Sequence, residues 1–308
     1  MTPNQFSSGD VIADRRADYA RMLDEGGDAP AAAELMEQAL ELAPGWAAGW
    51  FRLGEYREKA DLKTGAVAAF RQALSLDPED VFGATLKLAL LGAEEVPVTP
   101  PSRYVEGLFD DYADRFDTAL VEKLDYSVPP KLAALVSPHG PFRLVVDLGC
   151  GTGLFGEEIR ASAGRLEGFD LSANMLAKAE AKGFYDHLGQ ADLSLPAEGS
   201  GLFAEGLAAQ RADLVSAADV LMYLGSLETV FPLVIELLAP GGLFAFSVEE
   251  AGEGFTLRDS LRYAHSETYI RALLERYGLS LLALEKTVIR TDAGKPIRGI
   301  LFLSRRKV

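Results

Sequence analysis

Val145-Val146-Asp147-Leu148-Gly149-Cys150-Gly151-Thr152-Gly153 runs from an apolar strand into a glycine-rich turn, with a helical stretch behind it. Glycine admits positive φ and lets a ligand lie directly against the backbone. The open amides of the following helix favour polar ligand groups. Gly151-x-Gly153-x-x-Gly156 also satisfies the dinucleotide fingerprint, which taken alone is weak. Asp147 shifts the balance: a carboxylate just before the turn repels a pyrophosphate, whereas it can hold a positive amine.

Outward from this turn, short apolar runs alternate with helical stretches, which predicts a parallel sheet covered by helices on both faces. Strands are expected near Leu144–Leu148, Leu166–Phe169, Tyr185–Leu188, Leu214–Ala217 and Leu243–Val248. Two later runs, Leu281–Ile289 and Ile297–Leu303, predict a hairpin turning at Asp292-Ala293-Gly294. Asp170 ends the second strand, 21 residues after Gly149, where a carboxylate accepts from both ribose hydroxyls of an adenosine ligand. Asp192 follows the third strand; capping the next turn is its plainer role. Small Ala217 and Ala218 leave room at the carboxyl end of the fourth strand, where such sheets bind ligands.

The nine-residue run closely resembles the first motif of class I methyltransferases that use S-adenosylmethionine. Asp170-Leu171-Ser172, Ala173–Ala179, Gly189–Leu193, Ser216–Leu224 and Leu238–Phe244 resemble that family's later motifs, in its order. The resemblance implies a doubly wound, mostly parallel seven-stranded α/β sheet of the Rossmann-like methyltransferase type. It implies S-adenosylmethionine as cofactor, with Asp147, Gly149, Cys150, Gly151 and Gly153 against its amino-acid part. Asp170 and Leu171 would meet the ribose, and Ala218 the methionine. Met175 would lie near the adenine, with a core methionine as the alternative. Asp192 would accept the adenine amino group, and Leu193 would donate a backbone amide.

A sulfonium methyl is already electrophilic, so a general base is needed only where the acceptor must lose a proton. His265 is placed near an acceptor pocket, with structural packing as its alternative; Tyr223 and Asp219 are rival candidates. Before the first strand, Tyr104–Asp117 resembles an aromatic helix that many small-molecule methyltransferases fold over the cofactor. Tyr104, Tyr112 and Phe116 are its expected lid residues, though aromatics on an amphipathic helix usually just pack. No metal site is expected.

The first third of the chain has its own period. Gln38–Pro44 returns as Gln72–Pro78, an offset of 34 residues, and Ala32 and Ala66 keep the same spacing. With Trp50, Leu53, Gly54, Phe70 and Ala73, the second copy resembles a tetratricopeptide repeat, Arg57 standing where that family places a tyrosine. The expected plan is a disordered tail over 1–12, an all-α repeat domain with a capping helix over 13–92, a proline-bearing linker over 93–103, and the methyltransferase domain over 104–308. Repeats joined to this domain resemble a bacterial group of predicted methyltransferases. A helical pair that merely packs on its neighbour is the alternative to a partner-binding groove.

Lys and Arg total 30 against 46 Asp and Glu, a net charge of -16, which argues against nucleic-acid and anionic-membrane partners. The single cysteine fits a reducing cytoplasm. No signal peptide is expected from MTPNQFSSGD, and no apolar stretch has membrane-spanning length. The Asn-Pro-Pro-Tyr motif of amide and base methylation is absent after the fourth strand. Together with the charge, this makes a small-molecule oxygen or carboxylate the expected acceptor. A protein recruited by the repeats follows it. A non-catalytic cofactor-binding module and a nicotinamide-dependent oxidoreductase remain open as other classes.

Overall fold

The computed structural model describes residues 7–113, 125–292 and 294–308. The chain forms two compact units, Met1–Gly107 and Leu108–Val308. The first contains α1 (Val11–Glu25), α2 (Ala29–Leu42), α3 (Ala47–Lys59), α4 (Lys63–Leu76) and α5 (Ala84–Leu90), and α6 (Ser102–Tyr112) straddles the boundary. Asp10 caps α1 by accepting the amides of Ile12 and Ala13, so Val11 and Ile12, expected in a disordered tail, form its first turn. Asp28 caps α2, which carries a proline in its first turn. Small side chains let the helices close up: Ala13, Ala17 and Ala20 share a core with Ala32, Ala33 and Met36. A Cβ on Gly54 would lie 2.5 Å from the Phe70 ring. Arg57 instead spans the unit, donating to Gly65 O at 2.9 Å and to Glu37 at 2.8 Å. α5, at the place of the expected capping helix, opens at Ala84, behind Gly83 at φ 76°.

The second unit is built on one sheet. Its elements are α7 (Val128–Val136), β1 (Phe142–Leu148), α8 (Leu154–Ile159), β2 (Ala163–Asp170), α9 (Ala173–Lys182), β3 (His187–Gln190) and β4 (Ala212–Ala217). Then come α10 (Val230–Leu237), β5 (Leu238–Ala251), β6 (Phe255–Leu257), β7 (Tyr263–Ser266), α11 (Glu267–Arg276), β8 (Leu279–Asp292) and β9 (Lys295–Arg306). Strands run β3-β2-β1-β4-β5 in parallel. β9 lies antiparallel beside β5, and β8 beside β9.

The sheet has nine strands among the described residues rather than the seven expected. β6 and β7 are the additions, and β7 pairs the last residues of β5, Glu249–Ala251. Four residues, two of them polar, give no alternation long enough to signal a strand. β3 begins two residues later than expected, at His187, because Tyr185 turns into the layer beneath the sheet. β5 opens at Leu238, ahead of the strand expected from Leu243, and is irregular there, its partners passing from Ala212↔Leu238 to Leu214↔Leu243.

Period-two alternation along each strand feeds two cores. Val146, Leu148, Val215, Phe244 and Phe246 face α10 and α11. Val145, Leu166, Leu214 and Ala245 face α7 and α8. The sheet is therefore covered on both sides, and its carboxyl edge is left for ligands.

Candidate active site

β1 ends in the glycine turn, where Gly149, Gly151 and Gly153 take φ of 61°, 53° and 91°. Side chains strain there, and a Cβ on Gly149 would also come within 2.4 Å of Val220. The turn is tied to the neighbouring strand: Cys150 N donates to Phe169 O at 3.0 Å, and Gly151 N to Asp170 Oδ2 at 2.8 Å. Cys150 is buried, which holds its thiol well above the ordinary range.

Asp147 does not stand open to a ligand amine. It is 1% exposed; Oδ2 accepts from the Tyr185 hydroxyl at 2.7 Å and Oδ1 from the Ser216 hydroxyl at 2.8 Å. Burial pushes its carboxyl up to about 7, against the opposing pull of the two hydroxyls. Gly156 makes this arrangement possible. A Cβ there would lie 2.4 Å from the Tyr185 oxygen, so the third glycine of the apparent dinucleotide fingerprint makes room for a tyrosine.

Asp170 closes β2. Its Oδ1 accepts Ser172 N at 2.9 Å, and burial raises it to about 6. Each carboxylate oxygen keeps a lone pair beyond these amides, which suits two ribose hydroxyls. Ser172 caps α9 by accepting Met175 N at 3.1 Å, and its own hydroxyl donates to Asp110 Oδ1 on α6 at 2.5 Å. Asn174 Nδ2 adds a bond to Asp110 O at 3.3 Å. Met175 is fully buried. Leu171 O accepts Gln190 Nε2 at 2.8 Å, bridging the ends of β2 and β3. Asp192 Oδ1 accepts Ser194 N at 2.8 Å and caps its own turn, while Leu193 packs on the core behind it.

Beyond β4 the chain turns sharply at Asp219, φ 61°. Ser247 Oγ accepts Asp219 N at 2.8 Å, and Ala218 O accepts the Tyr126 hydroxyl at 3.5 Å. Asp219 Oδ2 accepts Arg290 Nη1 at 2.8 Å, and Glu249 accepts Arg290 Nη2. Burial raises the Asp219 carboxyl, and the Arg290 guanidinium opposes it. Tyr223 sits at the end of a single turn, Leu221–Tyr223. Its ring meets Phe109 of α6 edge-on at 4.9 Å, and Arg262 lies 5.8 Å over it with Nε 3.2 Å from the hydroxyl. His265 lies in β7, fully buried, with Nε2 2.9 Å from Gly225 O. Burial drops it to about 4, so it stays neutral at neutral pH.

Residues 146–244 match the family model described as a methyltransferase domain. The matched stretch runs from within β1 to within β5. Malonyl-[acyl-carrier protein] O-methyltransferase of Enterobacter lignolyticus is 30% identical over 142 residues, 46% of this chain and 53% of that protein. Trans-aconitate 2-methyltransferase of Delftia acidovorans is 35% identical over 123 residues, 39% of this chain and 43% of that protein. The chain thus spans about half the length of the curated relatives it matches. Among solved structures, N-methyltransferase NodS from Bradyrhizobium japonicum, in complex with S-adenosyl-L-homocysteine, is 23% identical and covers 58% of this chain and 85% of its own at a TM-score of 0.46.

In this chain the glycine turn, Asp170, Leu171 and Ala218 gather at the carboxyl ends of β1, β2 and β4. Tyr223 and Asp219 stand on the β4 side, and His265 is sealed beneath them against Gly225. Tyr104 belongs to the first unit, its ring within 2.9 Å of where a Gly83 Cβ would stand. Tyr112 is the last residue of α6, and Phe116 lies outside the described residues. On that same helix, Phe109 and Asp110 make the contacts to Tyr223 and Ser172; neither was singled out from sequence, although both lie in the aromatic-acidic stretch. Tyr185, Glu249, Arg262 and Arg290 were missed as well. Arg290 carried one usable signal, a guanidinium directly after the apolar pair Val288-Ile289 in a strand.

Proposed function

We propose that this chain transfers the methyl group of S-adenosylmethionine to an oxygen or carboxylate of a small molecule, in the cytoplasm. One observation carries it: the glycine turn bonded to Asp170 and the Asp219–Tyr223 segment flank one another across adjacent strands, a cofactor wall beside an acceptor wall. The two curated relatives, named for malonyl and trans-aconitate acceptors, support a carboxylate-bearing substrate. Asp170 would hold the ribose hydroxyls, with Leu171, Met175, Asp192 and Leu193 toward the adenine. The backbone of Gly149, Cys150, Gly151 and Gly153, braced by buried Asp147, would lie along the amino-acid part, and Ala218 beside the methionine. Bound, the cofactor supplies a sulfonium methyl that an acceptor oxygen attacks as the carbon–sulfur bond breaks. A carboxylate has no proton to lose, so no general base is required. The chain's part is to align that oxygen and exclude water; Tyr223 and Asp219 border its position.

Titration with S-adenosylhomocysteine, with NAD in parallel and Asp170→Ala as control, tests this. Micromolar binding of the first ligand alone, weakened in the variant, is expected. Binding of NAD alone would make the chain an oxidoreductase, and no heat from either would make it a binding protein. S-adenosylhomocysteine binding without turnover of any acceptor would leave a cofactor-binding module.

For the helical unit we read two tetratricopeptide-like repeats that recruit a protein. α2 and α4 are both 14 residues long and begin 34 residues apart, at Ala29 and Lys63, which supports this. Removal of residues 1–92 should leave S-adenosylhomocysteine affinity intact and abolish co-purification of a partner.

A further inference from the structure

Three guanidinium groups stand around the carboxyl ends of β4 and β5, and two are committed to this chain's own acceptors. Arg290 binds both buried carboxylates, Asp219 and Glu249. Arg258 donates to Glu250 O at 2.5 Å and lies 3.6 Å from Glu249. Arg262 differs. Its Nε reaches the Tyr223 hydroxyl, and among the described residues its two Nη groups donate no hydrogen bond. The nearest carboxylate is Asp292, 3.9 Å from Nη1 and half-exposed, a contact worth little in water. Arg262 itself is only 26% exposed, and Nη groups without acceptors on a partly buried guanidinium are costly unless something completes them. Asp292, the carboxylate nearest that guanidinium, also lines an open cavity of about 510 Å³ with Arg258, Asp259, Ser260, Lys295 and Ile297.

We propose that Arg262 anchors a carboxylate of the methyl acceptor. This rests on the methyl-transfer reading above and adds the residue that selects the substrate. The two Nη groups match the two oxygens of one carboxylate in a bidentate fork. The tyrosine ring beneath holds the guanidinium plane in place. Tyr223 accepts from Nε, so its own O–H remains to donate to the acceptor. A phosphate suits the place less well. Asp219, Glu249 and Asp292 surround a single uncommitted guanidinium, and a dianion would meet more repulsion than a carboxylate.

The test uses the full chain saturated with S-adenosylhomocysteine, titrated with acetate, malonate, succinate, glutarate, benzoate and cinnamate, with their amides and with inorganic phosphate. At least one carboxylate should bind and its amide should bind tenfold or more weakly. Arg262→Gln should lose that carboxylate tenfold or more, and Arg262→Lys should restore part of the loss. S-adenosylhomocysteine affinity should be unchanged in both variants, which separates recognition from misfolding. Binding of the cofactor product with no carboxylate bound, with equal binding in Arg262→Gln, or with preference for phosphate or amide overturns the proposal. Failure of S-adenosylhomocysteine itself to bind wild type overturns the methyl-transfer reading instead.

Discussion

The hydroxyl of Tyr185 donates to Asp147 across 2.7 Å, and the tyrosine ring that carries it occupies space left by Gly153, Gly156 and Gly168. The glycine turn is thus held from below by a buried acid. The folded carboxyl stands at about 7 against an ordinary 3.8, so the folded chain keeps a proton that the unfolded chain releases. The stability this contributes is complete below pH 3.8 and is lost as pH rises to about 7. Asp147→Asn cannot ionise and escapes that loss. Between pH 5 and pH 7.5 its stability relative to wild type should rise by roughly 2–3 kcal/mol in urea denaturation. A parallel pH dependence for the two proteins would show that Asp147 ionises freely.

Tyr185→Phe leaves that carboxyl with Ser216 as its one side-chain donor. A loss of about 1–3 kcal/mol is expected from an unsatisfied buried acceptor. Gly156→Ala should cost a similar amount for a different reason, since its Cβ would fall 2.4 Å from the Tyr185 oxygen and force the ring out. Denaturant midpoints measure both, and S-adenosylhomocysteine affinity should fall with them as the turn loosens.

If Asp170 holds the ribose as proposed, cofactor binding should have its own pH dependence. Burial sets its carboxyl at about 6, and both ribose hydroxyls could donate to it at once only in its ionised form. Affinity for S-adenosylhomocysteine should be level above pH 6 and fall toward tenfold per unit below it. Calorimetry at pH 5 and pH 7.5 is expected to differ by about tenfold, and Asp170→Asn should bind weakly and equally at both. A wild type with no difference would remove the acid from the ribose.

Much of the second unit was legible because its motifs are local: each lies within a few residues of a strand end. The acceptor wall was illegible for the opposite reason. Asp219 and Arg290 are 71 positions apart and meet only because β9 returns antiparallel to β5 and brings β8 alongside. No spacing rule links them. Asp147 was found, but its partners were not, since Tyr185 precedes β3 and Ser216 lies on β4. The aromatic stretch before β1 coincides with α6, while the contacts of Phe109 and Asp110 depend on a rotation about its axis that sequence leaves open.

Those two residues link the walls of the cleft. Asp110 binds the cap of α9, next to Asp170, and Phe109 meets Tyr223. Asp110→Ala should weaken S-adenosylhomocysteine about tenfold by releasing the helix, with little change in stability because Asp110 is part-exposed. Ser172→Ala also removes a cap and should cost about 1 kcal/mol of stability. A double-mutant cycle on cofactor affinity should return a coupling near the full Asp110→Ala effect, and additive losses would mean that the 2.5 Å bond does not hold the helix.

His265 tests where the acid-base chemistry is not. Its ring is fully buried, stacks 5.9 Å from Tyr269, and is held at about 4 against an ordinary 6.5. The unfolded chain takes up a proton at a pH where the folded chain refuses it. The stability it contributes is therefore complete above pH 6.5 and is lost as pH falls to about 4, opposite in sign to that of Asp147. His265→Gln should lose about 1–3 kcal/mol at pH 7.5 by disturbing the bond to Gly225, and less at pH 4.5. Turnover, once an acceptor is known, should change less than a few-fold, with no inflection near pH 6.5 in wild type. A hundredfold loss of kcat with stability intact would instead make His265 the base, and would require the Gly225 bond to open during catalysis.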